Sequence, residues 1–231
     1  MPLARKIHNL FHPALGQVLM FHRVVKHIGP QPEAPRLEVT APFFARSLDA
    51  LLEQEVDFIT MDQVADRFQS RNRKPFVCIT FDDGYLDTFT MAYPILKERQ
   101  IPFCVYMTRD FYRGTARPYW NPKAEMMGVD QLFALGADPL CTIGVHTCSH
   151  PHLGNLPPEE QRREIDDCKA DLEHLLGRQV HHLAYPYGEY SQETLQIVRQ
   201  LDFATAVTTS GRNVRSDSSL LELDRILFNE S

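Results

Sequence analysis

The sequence has no hydrophobic run that approaches the length of a membrane span. Nor has it an excess of positive charge: 24 Lys and Arg stand against 30 Asp and Glu, a net charge of -6. No basic stripe is visible, which argues against a nucleic-acid partner, because phosphate binding needs clustered cations. Cysteine is sparse and scattered. Cys78, Cys104, Cys141, Cys148 and Cys168 are odd in number and include no Cys-x-x-Cys pair. That usage suits a reducing compartment, and the expected location is the cytoplasm. At the N-terminus, Arg5 and Lys6 imitate the basic start of a signal peptide, but His8, Asn9, His12 and Gln17 interrupt any apolar core region. Leu3, Ile7, Leu10 and Phe11 share one helical face. It is expected to cap the domain, the alternative being a weak contact with a membrane surface.

What is present is an alternation of short apolar runs with helical periodicity. Hydrophobic residues make up 43% of the 231 residues, enough for a substantial core in one α/β domain. Expected strands are residues 17–21, 56–59, 76–81, 102–107, 141–145, 182–185, 203–207 and 223–228. Between them, Phe44, Leu48, Leu51 and Leu52 mark one helical face, and Thr60 and Gln63 form a capping box. Residues 88–99 read as a helix in which Pro94 either starts a new segment or makes a kink. Residues 158–176 are the clearest helix, with Pro158 at its start and Gly177 just past its end. Residues 108–139 have poor periodicity and read as an elaborated loop with short helices. Strand and helix in alternation imply a mostly parallel sheet. About eight strands in one chain favour closure, so the expected fold is an irregular (β/α) barrel of seven to eight strands spanning residues 1–231 as a single domain.

Parallel strands carry chemistry at their carboxyl ends. Four of these strands end on reactive residues: His22, Asp82-Asp83, His146 with His150, and Pro186-Tyr187-Gly188. Asp-Asp-Gly alone is an ordinary turn signal. Two His and one Asp, with open positions, form a sound catalytic site for a divalent metal. Adjacent aspartates point apart and cannot share one role. The working assignment is that Asp83 binds the metal while Asp82 stays free as base for a metal-bound water. A backbone N–H near Tyr187 is placed to meet the oxyanion. His152 is expected to face solvent or support the site from outside.

Thr80-Phe-Asp-Asp-Gly84, His146-Thr-Cys-Ser-His150 and Ala184-Tyr-Pro-Tyr-Gly188 resemble, in order and spacing, the motifs of the polysaccharide deacetylase family, carbohydrate esterase family four. The likeness runs from about Val18 to Ile226. It implies zinc or a similar divalent ion on Asp83, His146 and His150, Asp82 as base, and hydrolytic removal of acetyl groups from N-acetylated sugars. The implied partner is an N-acetylated glycan or a lipid-linked glycan precursor. Two departures from the family stand out. Many members carry Arg where this chain has Ala184, and the late Leu-x-His that supplies a general acid has no counterpart, since no histidine follows His182. Two compensations are expected. His22 resembles a first-strand histidine of the poly-N-acetylglucosamine deacetylase branch and is assigned the acid's work, with a structural hydrogen bond as the alternative. Arg225 is expected to reach Asp82, the alternative being an exposed pair with Asp224 or Glu222. Trp120 and its neighbours Phe111, Tyr112 and Tyr119 either stack on sugar or pack the long loop. The competing functional readings are a glycan-binding pseudoenzyme, an O-acetyl esterase on the same scaffold, and a ferrous oxygenase. The last leaves Asp82 without a purpose.

Overall fold

Apolar runs bounded by turn residues become the strands of one parallel sheet. The structure, a computed structural model, describes residues 15–28, 37–72 and 74–230. The helix expected at residues 3–11 and the Pro-rich stretch 29–35 lie outside the described residues.

In chain order the strands are β1 (Gly16–Phe21), β2 (Arg23–Val25), β3 (Glu38–Thr40), β4 (Asp57–Phe58), β5 (Phe76–Phe81), β6 (Phe103–Met107), β7 (Cys141–Val145), β8 (His182–Ala184), β9 (Thr205–Val207) and β10 (Ile226–Leu227). The helices are α1 (Ala41–Leu52), α2 (Met61–Gln69), α3 (Tyr93–Glu98), α4 (Arg109–Tyr112), α5 (Val129–Gly136), α6 (Pro158–Leu176) and α7 (Gln192–Gln200). The main sheet runs β10-β1-β5-β6-β7-β8-β9, every neighbour parallel, with β4 paired to the start of β5. It curls into the expected irregular (β/α) barrel. Residues 208–225 fill the gap between β9 and β1: Leu223 pairs with Val207, and Val214 with Gly16.

The caps form as the sequence implies. The Thr60 side chain accepts from the Gln63 N–H at 3.3 Å, while the Gln63 side chain accepts from the Thr60 N–H at 3.0 Å. Gly177 ends α6 in the left-handed region at φ 64°. Some elements differ from expectation. The short parallel pair β2–β3 was not foreseen, because three-residue strands leave too little periodicity to read. Residues 88–99 divide into a π-helical turn (Thr88–Ala92) and α3, with Pro94 in the first turn of α3, so the proline starts a segment afresh. The last two strands are shorter than expected, since only residues 205–207 and 226–227 find continuous partners.

Every residue of β5 is buried, so its two faces serve two cores. Val77, Ile79 and Phe81 face the helices. Phe76 and Cys78 face the barrel interior with Tyr106, Ala184 and Val207, and α2 supplies Met61 and Val64 to that interior. Burial of such side chains contributes about 1.5–3 kcal/mol each, which fixes the register of β5. The strand's alternation then turns Thr80 and Asp82 inward, above Cys78.

Candidate active site

Strand β5 stops at Phe81, and the following turn is tightly bonded. The Asp82 N–H donates to Phe21 O at 3.1 Å, and the Gly84 N–H to Asp82 O at 2.9 Å. Asp83 and Gly84 both have left-handed backbones, φ 70° and 82°. Thr147 (φ 65°), His150 (φ 61°) and Tyr187 (φ 59°) do the same around the mouth. Only Gln100 and Asp202 share that conformation elsewhere among the described non-glycine residues. Such conformations cost roughly 1–3 kcal/mol each and collect where function holds them. Here the strain re-aims the side chains at three strand ends toward one point.

At that point Asp83 Oδ1 lies 3.5 Å from His146 Nε2 and 3.5 Å from His150 Nε2. One donor atom from each of the three residues falls within 4.8 Å of the others. An ion about 2.0–2.2 Å from each donor in tetrahedral geometry places donors at close to this separation. Three features fit a cation there. Asp83 Oδ1 is buried with no hydrogen-bond partner. His146 Nδ1 is 2.7 Å from Ala184 O, so that ring nitrogen carries the proton and Nε2 offers its lone pair. Burial pushes His150 down to about 4, which keeps its ring neutral and able to ligate. His146 is raised, its burial outweighed by Asp83 and Asp82.

Asp82 takes no part in that cluster. It is gripped by Arg225, whose two terminal nitrogens donate to Asp82 Oδ1 and Oδ2 at 2.6 Å each. The same guanidinium donates to Thr80 Oγ1 at 3.2 Å and to Thr208 O at 3.0 Å, and lies 5.5 Å above the Tyr106 ring. Arg225 is fully buried. The exposed alternative does not form, since Asp224 pairs with Arg212 and Glu222 accepts from the Tyr190 hydroxyl. Burial alone would raise the Asp82 carboxyl, but Arg225 overrides it and holds the group well below the ordinary carboxylate range.

His22 follows β1 and is half-buried, and its Nδ1 is buried without a hydrogen-bond partner. At Nδ1, then, the ring makes no structural hydrogen bond. Burial lowers its pKa, with Asp83 and Asp82 pulling the other way, so His22 shares the field of the cluster. An ion-pair network missed in the sequence holds its segment. Arg23 donates to Asp87 at 2.8 Å and to Glu38 at 2.5 Å, and Thr88 Oγ1 donates to His22 O at 3.4 Å. The charges could be read in the sequence; their meeting across the β2–β3 pair could not.

Tyr187 stands at the rim, 4.6 Å from the His150 ring and stacked on His152 at 3.9 Å. His152 pairs with Glu189 at 2.7 Å, outside the cluster. Trp120 packs the long loop and also reaches the cluster. Its Nε1 donates to the Tyr85 hydroxyl at 2.9 Å in a small core with Phe111, and its ring faces His150 at 4.6 Å. Tyr112 is buried against Asp171. Tyr119 is 75% exposed, with its hydroxyl 3.4 Å from that of Tyr187.

The family model described as "Polysaccharide deacetylase" matches residues 69–206. The chain belongs to the polysaccharide deacetylase family. That segment contains Asp82, Asp83, His146 and His150, while His22 and Arg225 lie outside it. The Bacillus subtilis (strain 168) protein YxkH, provisionally named a polysaccharide deacetylase, is 26% identical over 217 residues, covering 93% of this chain and 71% of its own. Among solved structures, the Streptococcus pyogenes deacetylase PplD in complex with acetate is 26% identical, covers 91% of each chain and has a TM-score of 0.77. IcaB from Ammonifex degensii is 27% identical, covers 93% of this chain and 91% of its own, and also has a TM-score of 0.77. The acid and imidazole cluster therefore lies within the matched segment, while the buried arginine comes from the residue just before β10.

Proposed function

We propose that the protein is a metal-dependent hydrolase that removes amide-linked acetyl groups from N-acetylated sugars in a glycan or a lipid-linked glycan precursor. One observation carries this reading: Asp83, His146 and His150 converge while the neighbouring Asp82 stays outside the cluster, pinned by Arg225. Asp83 Oδ1, His146 Nε2 and His150 Nε2 would hold a divalent ion, zinc first among those that suit the donor set. When bound, the ion supplies Lewis acidity, which polarises the acetyl carbonyl and makes water more acidic.

The residues of the chain then divide the remaining work. Asp82, ionised at neutral pH, takes the proton from the attacking water at a carboxylate oxygen. Arg225 orients that carboxylate and spreads its charge over two hydrogen bonds. Its grip also makes Asp82 a weak base, so Asp82 works only on an acidified water. The N–H of Tyr187 meets the negative charge that develops on the acetyl oxygen. His22 gives a proton to the nitrogen of the departing amine, and the C–N bond breaks to leave acetate and a free amino sugar. Tyr119 and Trp120 form a rim on which a sugar ring can stack.

The experiment is metal removal with a chelator, reloading with zinc, and measurement of acetate from N-acetylated and O-acetylated oligosaccharides. Acetate release that vanishes with the metal and returns with zinc supports the reading. A fully loaded protein that frees no acetate from any of them overturns it. The cytoplasmic assignment belongs to the same proposal, supported by five free, buried cysteines. Recovery of the protein from the secreted or periplasmic fraction would reject it.

A further inference from the structure

Beside Gly188, lined by Tyr190 and by residues between 208 and 224, lies a groove of about 740 Å³. It is joined to the catalytic cluster through shared backbone. Thr209 Oγ1, on the groove wall, donates to Tyr187 O at 3.0 Å. Thr208, beside it, uses its carbonyl to receive Arg225 Nε, the same guanidinium that grips Asp82. Gly188 makes the close contact possible: its backbone is left-handed at φ 73°, and a Cβ there would come within 2.3 Å of the Thr209 side chain.

The volume is within the range of about 300–1,000 Å³ usual for ligand sites, but the lining is not the usual apolar one. Hydroxyls and charges dominate it, which suits a ligand whose whole perimeter makes hydrogen bonds. A sugar is such a ligand. Its charge is also uneven, since two guanidiniums face three carboxylates. Arg212 is committed to Asp224 at 3.0 Å and Arg215 to Asp217 at 3.3 Å. Glu222 is left with only the Tyr190 hydroxyl, at 2.9 Å, and no basic partner among the described residues. One carboxylate in a polar groove, oriented by a tyrosine and without a counter-ion, is the complement of one ammonium group.

We propose that this groove is a second glycan subsite, taking a sugar unit that carries a free amine, and that Glu222 recognises its ammonium. The inference rests on the deacetylase reading above and adds to it a substrate class: glycans already deacetylated at a neighbouring unit. Each turnover of such an enzyme makes an amino sugar, so its product at one position becomes a preferred ligand at the next.

The test is calorimetric titration of the intact protein and of Glu222→Gln with two probes, the glucosamine tetramer and the N-acetylglucosamine tetramer, at mildly acid pH and low salt. The expected result is tighter binding of the amino tetramer to the native protein, by roughly three- to tenfold, the scale of one partly exposed charge-assisted contact. Glu222→Gln should bind both tetramers alike, and raising salt from roughly 0.05 to 0.5 M should weaken the native preference. Equal binding of the two tetramers by the native protein, or an unchanged preference in Glu222→Gln, overturns the proposal. Acetate release keeps the two ideas apart. With the metal loaded, Glu222→Gln should lose the native preference for a partly deacetylated tetramer over a fully acetylated one. No acetate from any substrate would overturn the deacetylase reading while the titration still decides the groove.

Discussion

Replacing Arg225 with Met tests the arrangement at its most demanding point. The native guanidinium is fully buried and makes four polar contacts, two of them to Asp82. Met keeps the length and the apolar stem of the side chain but removes the charge. The Asp82 carboxylate is then buried without its counter-ion, and Thr208 O and Thr80 Oγ1 each lose a partner. Breaking a buried pair from one side typically costs about 3–5 kcal/mol, mostly from the stranded charge. In a domain of this size that corresponds to a fall in Tm of roughly 6–20 °C. The assay is urea and thermal unfolding of metal-free protein at neutral pH, with Asp82→Asn and the double variant beside it. If the stranded carboxylate is the source of the cost, Asp82→Asn/Arg225→Met should recover more than half of the loss. Acetate release by metal-loaded Arg225→Met should fall about 10²-fold, the scale of a misplaced catalytic group, while metal content is retained. A loss below about 1 kcal/mol, or a double variant no more stable than Arg225→Met, refutes the reasoning.

Other expected outcomes follow from the same geometry. Asp82→Asn should keep its metal, measured by elemental analysis, and lose roughly 10²–10⁴-fold in turnover; lost metal with activity restored on reloading would reverse the roles of Asp82 and Asp83. His22 has a lowered pKa, so its protonated form is present at low pH and disappears as pH rises through a value below 6.5. The fall in kcat on the basic side of that value should therefore vanish in His22→Ala along with much of the rate, and a loss of only a few-fold would retire His22 as the acid. Gly144→Ala places a Cβ 2.4 Å from the Tyr106 ring that underlies Arg225, and should destabilise by about 1–3 kcal/mol in denaturant titration with the metal cluster intact; an unchanged midpoint would show that the ring can move aside.

Much of the site could be read directly, because its residues sit where short apolar strands end and because each motif is local. Asp82, Asp83, His146 and His150 were all legible in this way. The direction of Arg225 was not, since it is set by the path of residues 208–225 through the gap in the barrel, with Glu222 and Asp224 both within three residues in sequence. The strained backbones of Asp83, Thr147, His150 and Tyr187 left no mark in composition either, because only glycine advertises a left-handed conformation. The groove beside Gly188 depends on two segments, 188–190 and 208–224, that are separated in sequence, and it has no motif.

Hydropathy alternation, caps and strand-end motifs are properties of adjacent residues, so the sequence by itself determined the parallel α/β architecture, the family and the candidate metal ligands. Pairing across the barrel is a property of distance in space. Only the tertiary structure decided that Arg225 grips Asp82, that His22 keeps an unpartnered ring nitrogen, and that Glu222 faces its groove without a cation, because each depends on how far a curled sheet brings its first and last strands together.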